Sequence, residues 1–277
     1  MSNDDAKIVK IFHHKFVKLN DICEQLNIKI THVFHCTLNS RWRFNEQRDN
    51  FNRLYFILDG HGYLYNDKER VDLQPYNIYL VPAHTCYNYR CDGYMEKLYI
   101  HFNLSVIPNK DLLRGLGRII TIPSTKAEIE NIRDIFYKEE LQSAIFCQEL
   151  VRGIAFGLAD EFTDIAYEDM KLYNKYRDLY KYVESNISAK LSVAEVCKSM
   201  GFSQTYIGHQ FKADTGQTIK EYISVILTDR IKWMLLNDQP LHSIAEELHF
   251  SDPSYCSRFF TKRVGISPRD FVRKHVN

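Results

Sequence analysis

The spacing of apolar positions changes near residue 126. Before it, residues 28–104 read as short strands. YFILDGHGYLY at 55–65 is β-rich with a turn signal at Asp59-Gly60-His61-Gly62; NIYLV at 77–81 is followed by Pro82, and KLYIHF occupies 97–102. Aromatic and β-branched runs with turn signals between them predict a sandwich or barrel. From Lys126 onward the apolar residues recur at helical spacing: Ile129, Ile132, Ile135 and Phe136, then Ile145, Leu150, Ile154 and Leu158. Two amphipathic helices are expected there. The polar stretch 167–174 reads as a join, which puts a boundary near 170.

Beyond that boundary the pattern is helical throughout, and it repeats. Val193, Val196, Cys197 and Met200 precede Gly201-Phe202; Leu241, Ile244, Ala245 and Leu248 precede His249-Phe250, each pair 48 apart. Past the phenylalanines the offset becomes 49, pairing Ile207 with Cys256, Phe211 with Phe260 and Gly216 with Gly265. Two copies of one short helical unit, differing by a single inserted residue, are predicted.

The first copy opens with Ser192-Val-Ala-Glu195, a capping box in which Ser accepts from the backbone three residues on and Glu reaches back. Gly201 can take the left-handed conformation of a sharp turn. Ser203 then caps a second helix whose Ile207 and Phe211 face inward with Phe202. Two short helices about such a turn make a helix-turn-helix. In the second copy Asp252 is the cap and Pro253 the first helical residue. His249 stands where the turn glycine would, so that turn either takes a positive φ at His or has another geometry. Between the copies, Ile219, Tyr222, Ile223, Ile226, Leu227, Ile231, Met234 and Leu235 mark one helix of about 19 residues, roughly 29 Å long. Such a connector could hold two recognition helices about one duplex turn apart.

If the apolar pairs face the core, the opposite faces carry Gln204, Thr205, Gly208, His209 and Lys212, and Ser254, Ser257, Arg258, Thr261 and Lys262. Arg258 can make a bidentate contact to guanine, and the hydroxyls can meet base edges or phosphate. An alternative for Arg258 is a surface salt bridge to Asp252 or Glu247. Arg263, Arg269, Arg273 and Lys274, around a final helix opening at Ser267-Pro268, are candidate phosphate contacts.

Charge supports this division. Residues 171–277 carry 16 Lys+Arg against 11 Asp+Glu, net +5, leaving −4 for 1–170 within a formal total of +1. With 277 residues, 45% apolar and 13% aromatic, one or two packed domains are expected and general disorder is excluded. The acidic start, residues 1–5, does not read as a secretory signal, and no apolar run approaches the ~18 residues of a membrane span. Seven cysteines without a CxxC pair fit a reducing compartment, so a cytoplasmic protein is expected, with no membrane association.

Residues 191–272 resemble the AraC-type (arabinose-regulator) family of transcription factors. The resemblance is carried by LSVAEVCKSMGFS at 191–203, FKADTG at 211–216, IAEELHFSDPSYCSRFF at 244–260 and KRVGISPRDF at 262–271. It implies two helix-turn-helix units joined by a long helix and inserted into adjacent major-groove segments of double-stranded DNA. Position by position, the base-facing residues are then Thr205, Gly208 and His209, and Ser254, Ser257 and Arg258. His249 replaces the family's usual glycine, and His209 stands where Arg is common. Gly208 supplies no side chain, leaving close backbone approach. More loosely, RLYFILDG at 53–60, PYNIYLVP at 75–82 and YIHF at 99–102 resemble the family's cupin-like effector domain.

The implied fold class is α+β: a cupin-like effector barrel (1–125), a helical dimerisation and linker segment (126–170) and an all-α DNA-binding domain (171–277). The implied function is a sequence-specific regulator responding to a small molecule, a sugar being one class, and acting as a homodimer with RNA polymerase as a further partner. A regulator that is constitutive, or that senses a protein partner, is the alternative.

Catalytic cupins hold a metal with His and Glu. Aligned on the Gly60 turn, Arg53 falls at the Glu position, Glu46/Arg48 or Gln47/Asp49 at the His-x-His positions, and Tyr87 at the later His. Arg cannot hold a cation, so no metal, no cofactor and no enzyme activity are expected. His32 and His35 would share a face only in a helix, and their surroundings read as strand. For an effector pocket, stacking faces and donors are wanted; Arg41, Trp42, Tyr55, His84, Tyr87 and His101 are the candidates.

Overall fold

The structure is a computed structural model that describes residues 23–276, with side chains through Arg273. The acidic start at residues 1–5 and the Lys274 side chain lie outside the described residues. The chain divides into two compact units, Met1–Met170 and Lys171–Asn277.

The first unit contains strands β1 (Asn27–Asn39), β2 (Phe44–Arg48), β3 (Asn52–Gly60), β4 (Gly62–Tyr65), β5 (Arg70–Leu73), β6 (Asn77–Val81), β7 (Cys86–Arg90), β8 (Tyr94–Ser105) and β9 (Ile120–Pro123). They form two sheets, ordered β1-β8-β3-β6-β9 and β2-β7-β4-β5, with antiparallel pairing throughout. Strands 1-8-3-6 of one sheet thus stand against their chain neighbours 2-7-4-5 of the other, the double-sheet jelly roll that cupins use. Gly60 sits at φ 69° against the Tyr94 carbonyl, where a Cβ would come within 2.2 Å of the oxygen, so the β3–β4 turn needs glycine.

Alternation along β8 gives both faces of the larger sheet work to do. Leu98, Ile100, Phe102 and Leu104 are buried on one face. Met95, Lys97, Tyr99 and His101 lie on the other, toward the interior shared with Tyr55, Ile57, Tyr79, Val81, Leu64, Leu73, Tyr87 and Tyr89.

Three helices follow. In α1 (Lys126–Phe136), Thr125 and Glu128 form a capping box, and Ile129 and Ile132 are buried. In α2 (Glu140–Gly157) the buried stripe is Cys147, Val151 and Ala155. The stripe expected there included Ile145, which is 56% exposed. The smaller side chains take the fully buried positions where the helix packs on β1, while Phe146, Leu150 and Ile154 are half-buried and Leu141 and Phe156 are exposed with Ile145.

Helix α3 (Ala159–Ser185) runs straight through the stretch 167–174 that reads as a join; its non-helical residue is Tyr176, at φ −115°, ψ 17°. The stretch is polar, but Glu, Asp, Met, Lys and Leu carry modest helix costs and no Gly or Pro interrupts it.

The second unit continues with α4 (Val193–Ser199), α5 (Gln204–Thr215), α6 (Ile219–Leu236), α7 (Leu241–Glu247), α8 (Pro253–Val264) and α9 (Pro268–Val276). Two cores form, one per repeat. In the first, Phe211 meets Tyr176 edge-on at 5.0 Å, and Tyr180 packs on Tyr222 at 5.1 Å. In the second, Phe260 meets Phe271 edge-on at 5.3 Å among Ile231, Met234, Ile244, Ala245 and Leu248. The connector α6 buries Tyr222, Leu227, Ile231 and Met234, while Ile226, expected inside, is half-buried.

Candidate nucleic-acid interface and ligand site

The caps read in the sequence are present. Ser192 and Glu195 form a reciprocal box at α4, and the Ser203 hydroxyl accepts from the Tyr206 N–H at α5. At α8 Asp252 accepts from the Tyr255 N–H at 2.7 Å, with Pro253 behind it. That backbone N–H holds the Asp252 carboxyl below the usual carboxylate range, as an N-cap should. Gly201 has φ 71° and His249 φ 57°, so His249 takes the left-handed turn its glycine counterpart takes. The C-termini of α5 and α8 close on left-handed Gly216 and Gly265.

These turns fix which faces point out. Ile207, Phe211, Cys256 and Phe260 are buried. Gln204, Thr205, His209 and Lys212 are exposed on α5 with Gly208 half-buried; Ser254, Arg258 and Lys262 are exposed on α8 with Ser257 half-buried. At ~100° per residue, Thr205, Gly208, His209 and Lys212 fall on one face, and Ser254, Ser257, Arg258 and Thr261 on the equivalent face of α8. Lys262 flanks that face. Arg263 does not join it: it lies about half a turn around from Ser254, with its guanidinium 5.9 Å from the Phe259 ring. Nothing crowds Gly208, since an added Cβ would meet no atom within 4 Å.

Arg258 makes no ion pair among the described residues. Glu247 is taken by Arg230 at 3.8 Å and Asp252 by its cap, leaving the guanidinium beside the Tyr255 ring at 5.9 Å. One expectation fails in this domain. Phe202 is 49% exposed and lies on exposed Tyr206, whereas Phe250 is 8% exposed. The difference comes from the recognition helices: Phe259 closes over Phe250 at 5.6 Å, and the equivalent position in the first copy is Gln210. Exposed Tyr206 and Tyr255, at equivalent places early in α5 and α8, are surface aromatics missed in the sequence; the repeat offset of 49 would have paired them.

In the first unit the sequence-predicted ligand residues separate. Trp42 and Tyr55 converge inside the sandwich. His101 stacks on Phe51 at 4.5 Å and lies 4.7 Å from Tyr99, further along the same face. Tyr87 is buried but donates its hydroxyl to Glu69, and burial with that carboxylate raises its pKa well above the phenol range. Arg41 is exposed, and exposed His84 sits in a turn at φ 65°.

At the centre, between Trp42 and Tyr55, is a residue not singled out in the sequence: Lys97, 3% exposed, with Nζ 3.6 Å from the Tyr55 ring, 4.4 Å from Trp42 and 5.2 Å from Tyr99. Burial pulls its ammonium from 10.5 down to about 7. Arg53, also buried, pairs with Asp49. Among the described residues, no three His, Cys, Asp or Glu side chains gather as a metal site, and no helix is long and apolar enough to cross a membrane. All seven cysteines are free.

Residues 196–274 match the family model of a helix-turn-helix domain. The chain is 27% identical over 245 residues to the Msm operon regulatory protein of Streptococcus mutans, covering 83% of this chain and 86% of that protein. Over 88 residues it is 38% identical to the transcriptional regulatory protein YesN of Bacillus subtilis, a match to 30% of this chain and 24% of that one. In fold, the chain resembles the solved structure of ToxT from Vibrio cholerae, with a TM-score of 0.50 at 14% identity over 91% of this chain and 99% of that one.

Proposed function

We propose that the chain is an AraC-type transcriptional regulator, that it reads a bipartite DNA site with α5 and α8, and that it answers to a small molecule held in the first unit; the helix-turn-helix match and the likeness to an operon regulatory protein support this. The observation that carries the DNA reading is the paired geometry of the two recognition helices. Each is capped, each follows a left-handed turn, and each buries two apolar residues while leaving small polar side chains and a long donor free. Small residues let a helix backbone approach base edges, and one unpaired guanidinium is the group that recognises guanine O6 and N7.

In this reading Thr205 and His209 contact base edges in one groove segment, with Gly208 allowing the backbone close. Ser254, Ser257 and Arg258 do so in the next. The 18 residues of α6 span ~27 Å, of the order of the ~34 Å between successive major-groove segments on one face of the duplex. Lys212 and Lys262, with Arg269 and Arg273 on α9, meet phosphate and give the affinity its salt dependence. The exposed apolar residues of α2, Leu141, Ile145 and Phe156, support a homodimer. The protein acts in the cytoplasm without catalysing a reaction, and RNA polymerase is the protein partner such a role implies.

Selection from random DNA with the full chain tests this. Enrichment of two short motifs centred about 10 base pairs apart is expected; no enrichment above unselected DNA would overturn the reading.

A further inference from the structure

The interior of the two-sheet unit is electrostatically unfinished. Lys97 lies opposite Cys36 of β1 and Ile57 of β3, so its side chain enters the space between the sheets. Aromatic faces from Tyr55, Trp42 and Tyr99 surround its Nζ, and among the described residues the ammonium has neither an ion pair nor a hydrogen bond. Ring faces offset only part of what an ammonium loses on leaving water. Arg53, one strand away, adds a second positive charge; its guanidinium lies 5.6 Å from the Tyr89 ring and is paired with Asp49, so Asp49 is not available to Lys97. The remaining buried carboxylates are elsewhere: Asp111 is bound by Asn52, and Asp169 by Lys110 and Arg114.

A second, independent observation lies in the same space. Tyr89 is 3% exposed and its hydroxyl has no hydrogen-bond partner, with Tyr55 and the Arg53 guanidinium near but out of bonding geometry. Buried hydroxyls are ordinarily satisfied. An unsatisfied donor beside an uncompensated cation makes a site that favours a negative, hydrogen-bond-accepting group. Aromatic residues also flank this space toward the surface. Trp42, on the β1–β2 turn, and Tyr99 are half-buried, and Phe34, 38% exposed, stacks on Tyr99 at 5.8 Å.

We propose that this interior is a receptor for a small organic anion, a carboxylate or phosphate on a flat or apolar body, with Lys97 as its counter-charge and the Tyr89 hydroxyl as a donor. The proposal rests on reading the first unit as a ligand-sensing domain and specifies the ligand's chemistry. A neutral sugar would satisfy Tyr89 but leave the ammonium unneutralised, and a cation would be repelled by Lys97. The ligand's body lies against Trp42, Tyr99 and Phe34. Lys97 is not required by packing, since a methionine would fill the same cage without the charge. Ligand binding then neutralises Lys97 and ties β8 to β7, which face each other across the sandwich, and this is the change a regulator could transmit.

The test is thermal unfolding of the full chain with benzoate and phenyl phosphate as anionic probes and benzyl alcohol and glucose as neutral ones. At least one anion should raise the unfolding temperature and the neutral probes should not. Benzoate alone responding identifies a carboxylate site, phenyl phosphate alone a phosphate site, and both a general anion site. Lys97→Met should weaken the responding probe roughly ten- to a hundredfold, and Tyr89→Phe, which keeps the ring, should weaken it less. No response to either anion, an equal response to benzyl alcohol, or an undiminished response in Lys97→Met would each overturn the proposal. DNA binding by the wild-type chain without any probe is measured alongside. Its presence with no anion response removes the anion site alone, and its absence removes the regulator reading instead.

Discussion

Replacing Lys97 by methionine should make the first unit more stable, an uncommon direction for a buried substitution. Lys97 is 3% exposed, and burial brings its ammonium from 10.5 to about 7. Because the folded-state value lies below the unfolded one, the penalty is full below pH about 7, shrinks as the pH rises and vanishes above about 10.5. A tenfold change in proton affinity corresponds to about 1.4 kcal/mol, so the cost at neutral pH is on the order of 4 kcal/mol as an upper limit. The ring faces of Tyr55, Trp42 and Tyr99 around Nζ return part of that cost. Methionine fills nearly the same volume without a charge, and imperfect packing removes ~1 kcal/mol of the gain. The expected result is a gain of about 2–3 kcal/mol at pH 7 that falls toward zero by pH 10.

Trp42 lies in the first unit and Trp233 in the second, so a Trp233→Phe background lets Trp42 fluorescence report urea unfolding of the first unit alone. Equal stability of Lys97→Met and its parent at pH 7, or a difference that does not shrink with rising pH, would refute the reasoning.

Four further outcomes follow from the same geometry. Arg258→Ala should cost ~1–3 kcal/mol on the selected DNA site and relax the preference at one base pair; unchanged affinity and preference in a binding titration would remove its base-contact role. Lys262→Ala should weaken all sequences alike and lower the slope of log affinity against log salt by about one, so a loss confined to the selected site contradicts a phosphate role. Gly208→Ala meets open space and should raise helix stability by up to ~1 kcal/mol in thermal unfolding while weakening DNA binding; binding that improves would argue against close backbone approach. Leu141→Glu with Phe156→Glu changes side chains 72% and 85% exposed, so the fold should hold and sedimentation should show monomer; an undisturbed dimer would place the interface elsewhere.

The helix-turn-helix half was legible because its signals are local and occur twice. Ser192 with Glu195, Ser203, Asp252-Pro253 and the glycines at 201, 216 and 265 act within a turn or two of the backbone, and the doubled spacing excludes coincidence. The exposure of Phe202 was not legible, since it depends on residue 210 being Gln where Phe259 covers Phe250 in the second copy. The ligand site was largely hidden for a different reason. Strand β8 alternates polar and apolar, and such a strand ordinarily turns its polar face to water. Here a second sheet covers that face, so Lys97 and Tyr99 point inward. Sheet-on-sheet pairing joins residues far apart in the chain, and composition gives no sign of it. Helix α2 misled likewise: Leu141, Ile145 and Phe156 are exposed, and Cys147, Val151 and Ala155 face in.

Guanine-methylation interference on the selected DNA site, using the wild-type chain and Arg258→Ala, tests the two-headed reading most directly. Two clusters of interfering guanines or adjacent contacts about 10 base pairs apart on one face of the duplex are expected, with Arg258→Ala erasing signal from one cluster and sparing the other. A single cluster, or loss of both together in the variant, would contradict it.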